Sequence, residues 1–529
     1  MRSLSASGSP GYIQGHLPHH QRGIALLIFV IVVVLGSMTY FISRLSVEDI
    51  KLHQKTTTAQ ALHQAKQALL AYAAVYGDTD ADGDGNADFP GEYGFLPCPD
   101  YNNGLDEGLE DSGNCGARAI SKLGYLPWRT LGIAPSKDRG GACLLYAVSG
   151  EYKNDEAASS NKSLMLNEDT NGMFQVVDVA NNPIVGMNPD ERVVAIIFSA
   201  GESLLGQTRD VTAGALCSRD ALTPSDYADY LDIGNSNLQG LPDTLDTFRH
   251  AIAGSDQLVA PAVPYNDTFV TITRKELWDA VISRPDFSVD LDSIMRRQTQ
   301  ALAMCLAAYA NNSGNRKLPR PAAIDFGVFA DYRTDGNYND SAAVSFLGRF
   351  PHTVDNSDTM LGVANAPNTA EPVLFNKGFC DALMIGGPPI NLNTGGAAEG
   401  YTLWKNWKDH FFYAVSDYYA PTNLPDSPPL LPPPDHWCDG TNCLRVGGTE
   451  YAAVVIYAGS RIGNTTRNEP HVFPPPLVSD VDTKKTLTNY IEVNNAIGNG
   501  KGDYTPTVAS NDILFCITDT KPMGVVPCP

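Results

Sequence analysis

Between positions 24 and 42 the chain carries nineteen residues without a charge, interrupted only by Gly36, Ser37 and Thr39. At 1.5 Å per residue this run reaches about 28 Å, the thickness of a hydrocarbon core, and so predicts a membrane-spanning helix. Past Arg44 the pattern turns amphipathic. Leu62, Ala65, Leu69, Tyr72 and Tyr76 recur at spacings of three and four, the stripe of a helix with one buried face. No proline falls within 24–76, and Gly77 is the expected stop because glycine accepts a left-handed C-terminal turn. The expected element is one helix over 24–76, roughly 80 Å long.

Beyond it the apolar runs are short and separated by long polar connections. Runs at 144–148, 193–199 and 269–273, and again at 411–415, 452–457 and 513–517, predict strands, and a second amphipathic stretch at 291–309 predicts a helix. These runs belong to an internal duplication, in which short motifs recur in the same order. Ala71-Tyr72-Ala73 matches Ala308-Tyr309-Ala310, and Leu96-Pro97-Cys98-Pro99 matches Leu318-Pro319-Arg320-Pro321. Leu123-Gly124-Tyr125-Leu126-Pro127 matches Leu347-Gly348-Arg349-Phe350-Pro351, and Tyr146-Ala147-Val148-Ser149 recurs identically from Tyr413 to Ser416. AIIFSAG at 195–201 matches AVVIYAG at 453–459. Tyr230-Leu231-Asp232 and Asn266-Asp267 match Tyr490-Ile491-Glu492 and Asn511-Asp512. The expected fold is α+β: the long helix, then two tandem heads at 77–283 and 284–529, each a helix packed on an antiparallel sheet.

The leader decides how the first helix is read. A secretory signal peptide would have a shorter apolar core and a small-residue cleavage site, whereas a plain signal anchor fits the run equally well. Neither accounts for Gln21-Arg22-Gly23 directly before the apolar run, after a short polar leader. That junction, with a long unbroken helix behind it, resembles the class III leader of type IV pilins and type II secretion pseudopilins. The resemblance implies that a prepilin peptidase cuts between Gly23 and Ile24 and methylates Ile24, discarding residues 1–23. It also implies single-pass insertion in the inner membrane, heads in the periplasm or at the cell surface, and other pilin subunits as partners through the helix. Most such proteins carry glutamate at the fifth mature position, where this chain has Ile28. In that respect it resembles the large minor pseudopilin at the tip of a pseudopilus.

A net charge of −22 and a pI near 4.7 argue against nucleic acid as a partner, since its phosphates would repel the chain. They suit an acidic head outside the cytoplasm. One acidic stretch has a pattern of its own. In 77–92, Asp80, Asp82 and Asp84 alternate with small residues ahead of Gly85, followed by Asn86, Asp88 and Glu92. Carboxylates on alternate residues beside a turning glycine gather oxygens about one point, the requirement of calcium. Glu92, or Asp78 in an alternative register, closes the shell. The competing reading is a solvated acidic turn.

All ten cysteines lie beyond residue 97, on the side that permits disulfides. Cys98 with Cys115 and Cys438 with Cys443 are the local pairs. Cys516 and Cys528 bracket the tail, resembling the disulfide-closed end of many pilins. No CxxC pair or Cys/His cluster suggests zinc, and G-x-S-x-G, H-E-x-x-H and the phosphate-binding loop are all missing. Gly498 to Gly502 reads as a turn, and His352, His410 and His436 as structural or exposed. The aromatic group Trp404, Trp407, Phe411, Phe412, Tyr413, Tyr418 and Tyr419 is either a partner surface or core. The sequence therefore points to a non-enzymatic minor pilin-like subunit. Its rivals are a calcium-stabilised, membrane-anchored adhesin that stays out of filaments, and a hydrolase with an unrecognised site.

Overall fold

A computed structural model describes residues 21–79, 91–100, 108–111, 115–117, 119–154, 165–209, 217, 224–232, 234–250, 266–312, 316–326, 332–340, 345–354, 373–386, 388–394, 399–421, 438, 443–463, 465–473, 478–491, 503–504 and 511–529. Its first element is helix α1 (Gln21–Val75), whose side chains are described at 28–40 and from 56 onward. In the first of these stretches every large apolar side chain is exposed, from 47 % at Ile31 to 66 % at Phe29. Among the described residues no helix is long and apolar enough to cross a membrane. The expected membrane half of the helix is corrected accordingly, and with it the single-pass inner-membrane placement. Residues 1–59 and 60–529 form separate compact units.

Within the second unit α1 buries Leu62, Ala65 and Leu69 of the expected stripe; Tyr72 is only half-buried, its neighbour Ala73 being buried instead, and Tyr76 is buried in the turn that follows. The α-helix ends at Val75, and Gly77 lies in a 3₁₀ turn, Tyr76–Asp78, rather than in a left-handed cap. Its missing Cβ has a different use: a Cβ there would stand 2.7 Å from the Tyr93 ring.

Next come β1 (Lys122–Tyr125), β2 (Leu145–Val148), β3 (Phe174–Asp178), β4 (Pro183–Val185), β5 (Val193–Ser199), the single turn α2 (Pro224–Tyr227), β6 (Asp246–His250), β7 (Thr268–Thr273) and α3 (Arg274–Ile282). The second copy supplies α4 (Ile294–Asn312), β8 (Leu347–Arg349), α5 (Glu399–Trp407), β9 (Phe411–Val415), β10 (Leu444–Val446), β11 (Thr449–Tyr451), β12 (Ala453–Tyr457), β13 (Val472–Phe473), β14 (Val478–Ser479), β15 (Asp503–Tyr504), β16 (Ile513–Ile517) and β17 (Val525–Pro527). The class is α+β.

The first sheet runs β1-β2-β5-β7, with β3 joining β5 at Val193 and carrying β4 and β6. Because β3 and β6 pair in parallel, this sheet is mixed and not the antiparallel one expected. The second runs β8-β9-β12-β16-β17, all antiparallel. Shared strands keep the same register. Gly124 faces Tyr146 as Gly348 faces Tyr413, and Tyr146 faces Ile197 as Tyr413 faces Val455. Ala195 faces Ile272 as Ala453 faces Ile517. Side-chain bonds repeat too: Tyr146 Oη donates to Pro97 O and Tyr413 Oη to Pro319 O, each at 3.2 Å.

Alternation along the strands sorts their side chains by face. Tyr146, Val148, Tyr413 and Val415 enter one apolar cluster that both copies share with α1, α3 and α4. Leu145 and Ala147 enter a cluster of the first copy that also takes in Phe473 of the second, and Phe412 and Ala414 enter one of the second copy. Trp404, Trp407, Phe411, Phe412, Tyr413 and Tyr419 are core residues, while Tyr418 is 44 % exposed. Five disulfides use all ten cysteines: Cys98–Cys115, Cys438–Cys443 and Cys516–Cys528, with Cys143–Cys217 and Cys305–Cys380.

Candidate functional site

Where the two copies meet, charged side chains of one pair with buried charged side chains of the other. The loop 165–171 of the first copy is held in shape by its own side chains. Asn167 Oδ1 accepts from the Asp169 N–H at 2.9 Å, and Thr170 Oγ1 accepts from the Asn167 N–H at 3.1 Å. Asn406, at the end of α5, pins this loop to the second copy by accepting from the Leu166 N–H at 3.1 Å, and Asn167 Nδ2 donates to Asp409 Oδ1 at 2.7 Å. Glu168 and Asp169 are thereby presented to the second copy, and Asp169 is wholly buried.

Helix α3 adds Arg274 at its first turn. Thr273 caps this helix, accepting from the Glu276 N–H at 3.2 Å while Glu276 accepts from the Thr273 N–H at 2.9 Å. Arg274 Nη1 then reaches Asn171 Oδ1 at 2.8 Å, and Nη2 pairs with Asp190.

The second copy answers with cations on the loop after β12. Arg461 donates twice to Asp169 Oδ1, at 2.9 and 2.7 Å, and pairs with Asp190. Arg467 donates to Glu168 Oε1 at 2.9 Å. The duplication explains its position, since Arg467 is the counterpart of Arg209. Each closes its own loop, Arg209 onto Gly201 O at 2.6 Å and Arg467 onto Gly459 O at 2.9 Å, and each stands over a tyrosine, Tyr230 or Tyr490. Arg209 spends a further donor on Gln207 of its own loop, whereas Arg467 reaches across to Glu168.

His410 lies at the centre, wholly buried. Its Nδ1 is 3.0 Å from Asp409 Oδ1, and its Nε2 is 3.3 Å from Asp169 Oδ2 and 3.5 Å from Glu168 Oε1. Lys484 pairs with the other oxygen of Asp409, to which Tyr490 Oη also donates at 3.3 Å. Burial opposes charge on Asp169, Asp409 and His410, and their partners outweigh it. Asp169 is held below the usual carboxylate range by Arg461, then His410 and Lys484, and Asp409 by Lys484 and His410. His410 is raised, because Asp409 and Asp169 stabilise the imidazolium more than burial penalises it. As an ionised carboxylate only accepts, His410 donates its Nδ1–H to Asp409. Glu168, Asp169 and His410 are the described residues whose ligand atoms gather closely enough to hold a metal ion.

Beside this cluster opens a cavity of about 700 Å³, lined among others by Glu168, Asp190, Arg274, Trp278, Arg461 and Thr465. Its charged lining is already paired, and no cysteine thiol is free to serve as a nucleophile.

No family model, curated protein or solved structure matches this chain.

The residues singled out in the sequence fall elsewhere. Asp80, Asp82, Asp84, Asn86 and Asp88 lie outside the described residues, and so does Gly498 to Gly502; Glu92 is described and half-buried. The side chains of Gly23 and Ile24 lie outside them as well. His352 is buried, stacked on Trp404 at 5.1 Å, and His436 is not among the described residues. The junction cluster escaped sequence reading because its members lie more than two hundred residues apart. The signal that was available is the duplicated loop, where Arg461 replaces Ser203 at the matching position.

Proposed function

We propose that this protein is a minor pilin-like structural subunit, cut after Gly23 by a prepilin peptidase, that joins other pilin subunits through α1 at the tip of a pilus or pseudopilus or in its initiation. The observation that carries the reading is the exposure of every described large apolar side chain from Ile28 to Tyr40. Ten such side chains around a helix destabilise it in water, and burial against neighbouring helices recovers about 1.5–3 kcal/mol for each one fully covered. Gln21-Arg22-Gly23 immediately before the apolar run supports the processing step, and Ile28 in the fifth mature position supports a terminal place over a shaft place. Five disulfides support a life outside the cytoplasm. The role is mechanical rather than catalytic: the Asp409–His410 pair is wholly buried, with Asp409 held by Lys484.

The test is a photo-cross-linking residue at Val32 in the intact producing cell. The expected product is a covalent adduct whose second partner is identified by mass spectrometry as the N-terminal helix of another pilin-type subunit. Adducts with no such subunit, in cells that assemble the filament, refute the reading.

A further inference from the structure

We propose that Glu168, Asp169 and His410 form a binding site for a divalent ion of the zinc class, clamping the two copies together at their junction. Three observations converge. The ligand atoms of these residues all lie within 4.8 Å of one another, and the two measured edges, 3.3 and 3.5 Å from Nε2, match the edge of about 3.4 Å for a tetrahedron of 2.0–2.1 Å bonds. His410 Nε2 and Asp169 Oδ2 are fully buried and lie 3.3 Å apart without an aligned hydrogen bond, so a divalent ion between them takes the place of the Nε2 proton of the imidazolium. Finally, Asp409 takes the Nδ1–H of His410, which leaves Nε2 as the ligand; this carboxylate–histidine relay is the usual outer support of a metal-bound imidazole.

The rest of the cluster acts on the same arrangement. Arg461 occupies Oδ1 of Asp169 and thereby directs Oδ2 inward, and Arg467 fixes Glu168. One imidazole with two carboxylates suits zinc better than calcium, which takes six to eight oxygens. The 700 Å³ cavity lined by Glu168 gives the ion its approach and a water for the fourth position. Arg461, Arg467 and Lys484 raise the local positive potential, so binding is weaker than in a closed structural zinc site.

The probe is Co²⁺, which absorbs strongly in the visible when tetrahedral and weakly in octahedral oxygen sites. The full chain is used with His16, His19 and His20 changed to alanine, so that the leader contributes no imidazole. The expected result is one equivalent of strong absorption, displaced by Zn²⁺ and lost in Asp169→Asn and Glu168→Gln chains that keep the parent's circular dichroism. Absence of the strong band from the parent overturns the proposal, as does a band unchanged in Asp169→Asn. Should these variants fail to fold, X-ray absorption of the Zn²⁺-loaded parent decides: one imidazole in a four-coordinate shell supports the site, and an oxygen-only or sulfur-containing shell refutes it.

Discussion

Replacing Arg461 by alanine tests whether the junction cluster holds the two copies together. Asp169 is 0 % exposed and takes two bonds from this guanidinium, the shorter at 2.7 Å. At an effective dielectric of about 20 a charge pair at 2.7 Å interacts by about 6 kcal/mol before desolvation is counted. His410, Arg467 and Lys484 remain near the orphaned carboxylate and recover part of this. The expected loss is therefore the ~3–5 kcal/mol typical of breaking one side of a buried pair. Lys275→Ala is the control, because Lys275 and Asp279 are 75 % and 63 % exposed and such pairs contribute about 0–1 kcal/mol. Removing both charges as Asp169→Asn with Arg461→Met should cost less than the sum of the single changes, since neither partner is left stranded. The assay is urea unfolding with disulfides intact and a chelator present, comparing midpoints at unchanged slope. An Arg461→Ala midpoint indistinguishable from that of Lys275→Ala refutes the reasoning, and additive costs in the double variant refute the pairing.

Tyr146→Phe and Tyr413→Phe each delete one buried bond, to Pro97 O and Pro319 O, leaving a carbonyl unpaired; the expected loss is about 1–3 kcal/mol and similar at both positions, read by the same unfolding assay. Asp267, beside Asp232, has its carboxyl pushed up to about 7, by burial first and by Asp232 second. Because the folded value is the raised one, this stabilisation is full below about pH 4 and is lost as pH rises through about 7, by at most about 4 kcal/mol. Thermal unfolding should show a fall in stability between pH 5 and pH 8 that is smaller in Asp267→Asn.

Much of the sheet architecture is legible in the chain because β5 and β12 are buried on both faces and read as continuous apolar runs, while β2 and β9 carry the identical Tyr-Ala-Val-Ser. The repeated motifs fall at matching registers for the same reason: the residues that pair across strands are the ones duplicated. Strands β3, β4 and β6 were not legible. They are short, partly exposed and joined by polar loops, and they place a parallel pair in a sheet expected to be antiparallel. The second-copy helix was expected at 291–309 and lies three residues later, since Leu291 is 77 % exposed and outside the apolar face. The junction was beyond reach, because an isolated histidine at 410 and an acidic pair at 168–169 acquire meaning only when the fold brings them within 3.5 Å. Tyr418 apart, the aromatic group near 404–419 is core because α5 and β9 turn Trp404, Trp407, Phe411 and Tyr413 into the shared cluster and Phe412 into that of the second copy.

Whether α1 is a processed assembly helix is read from the mass of the mature N-terminal peptide. A chain beginning at N-methylated Ile24 is the expected result; a chain that still begins at Met1 when purified from a cell with an active prepilin peptidase contradicts it.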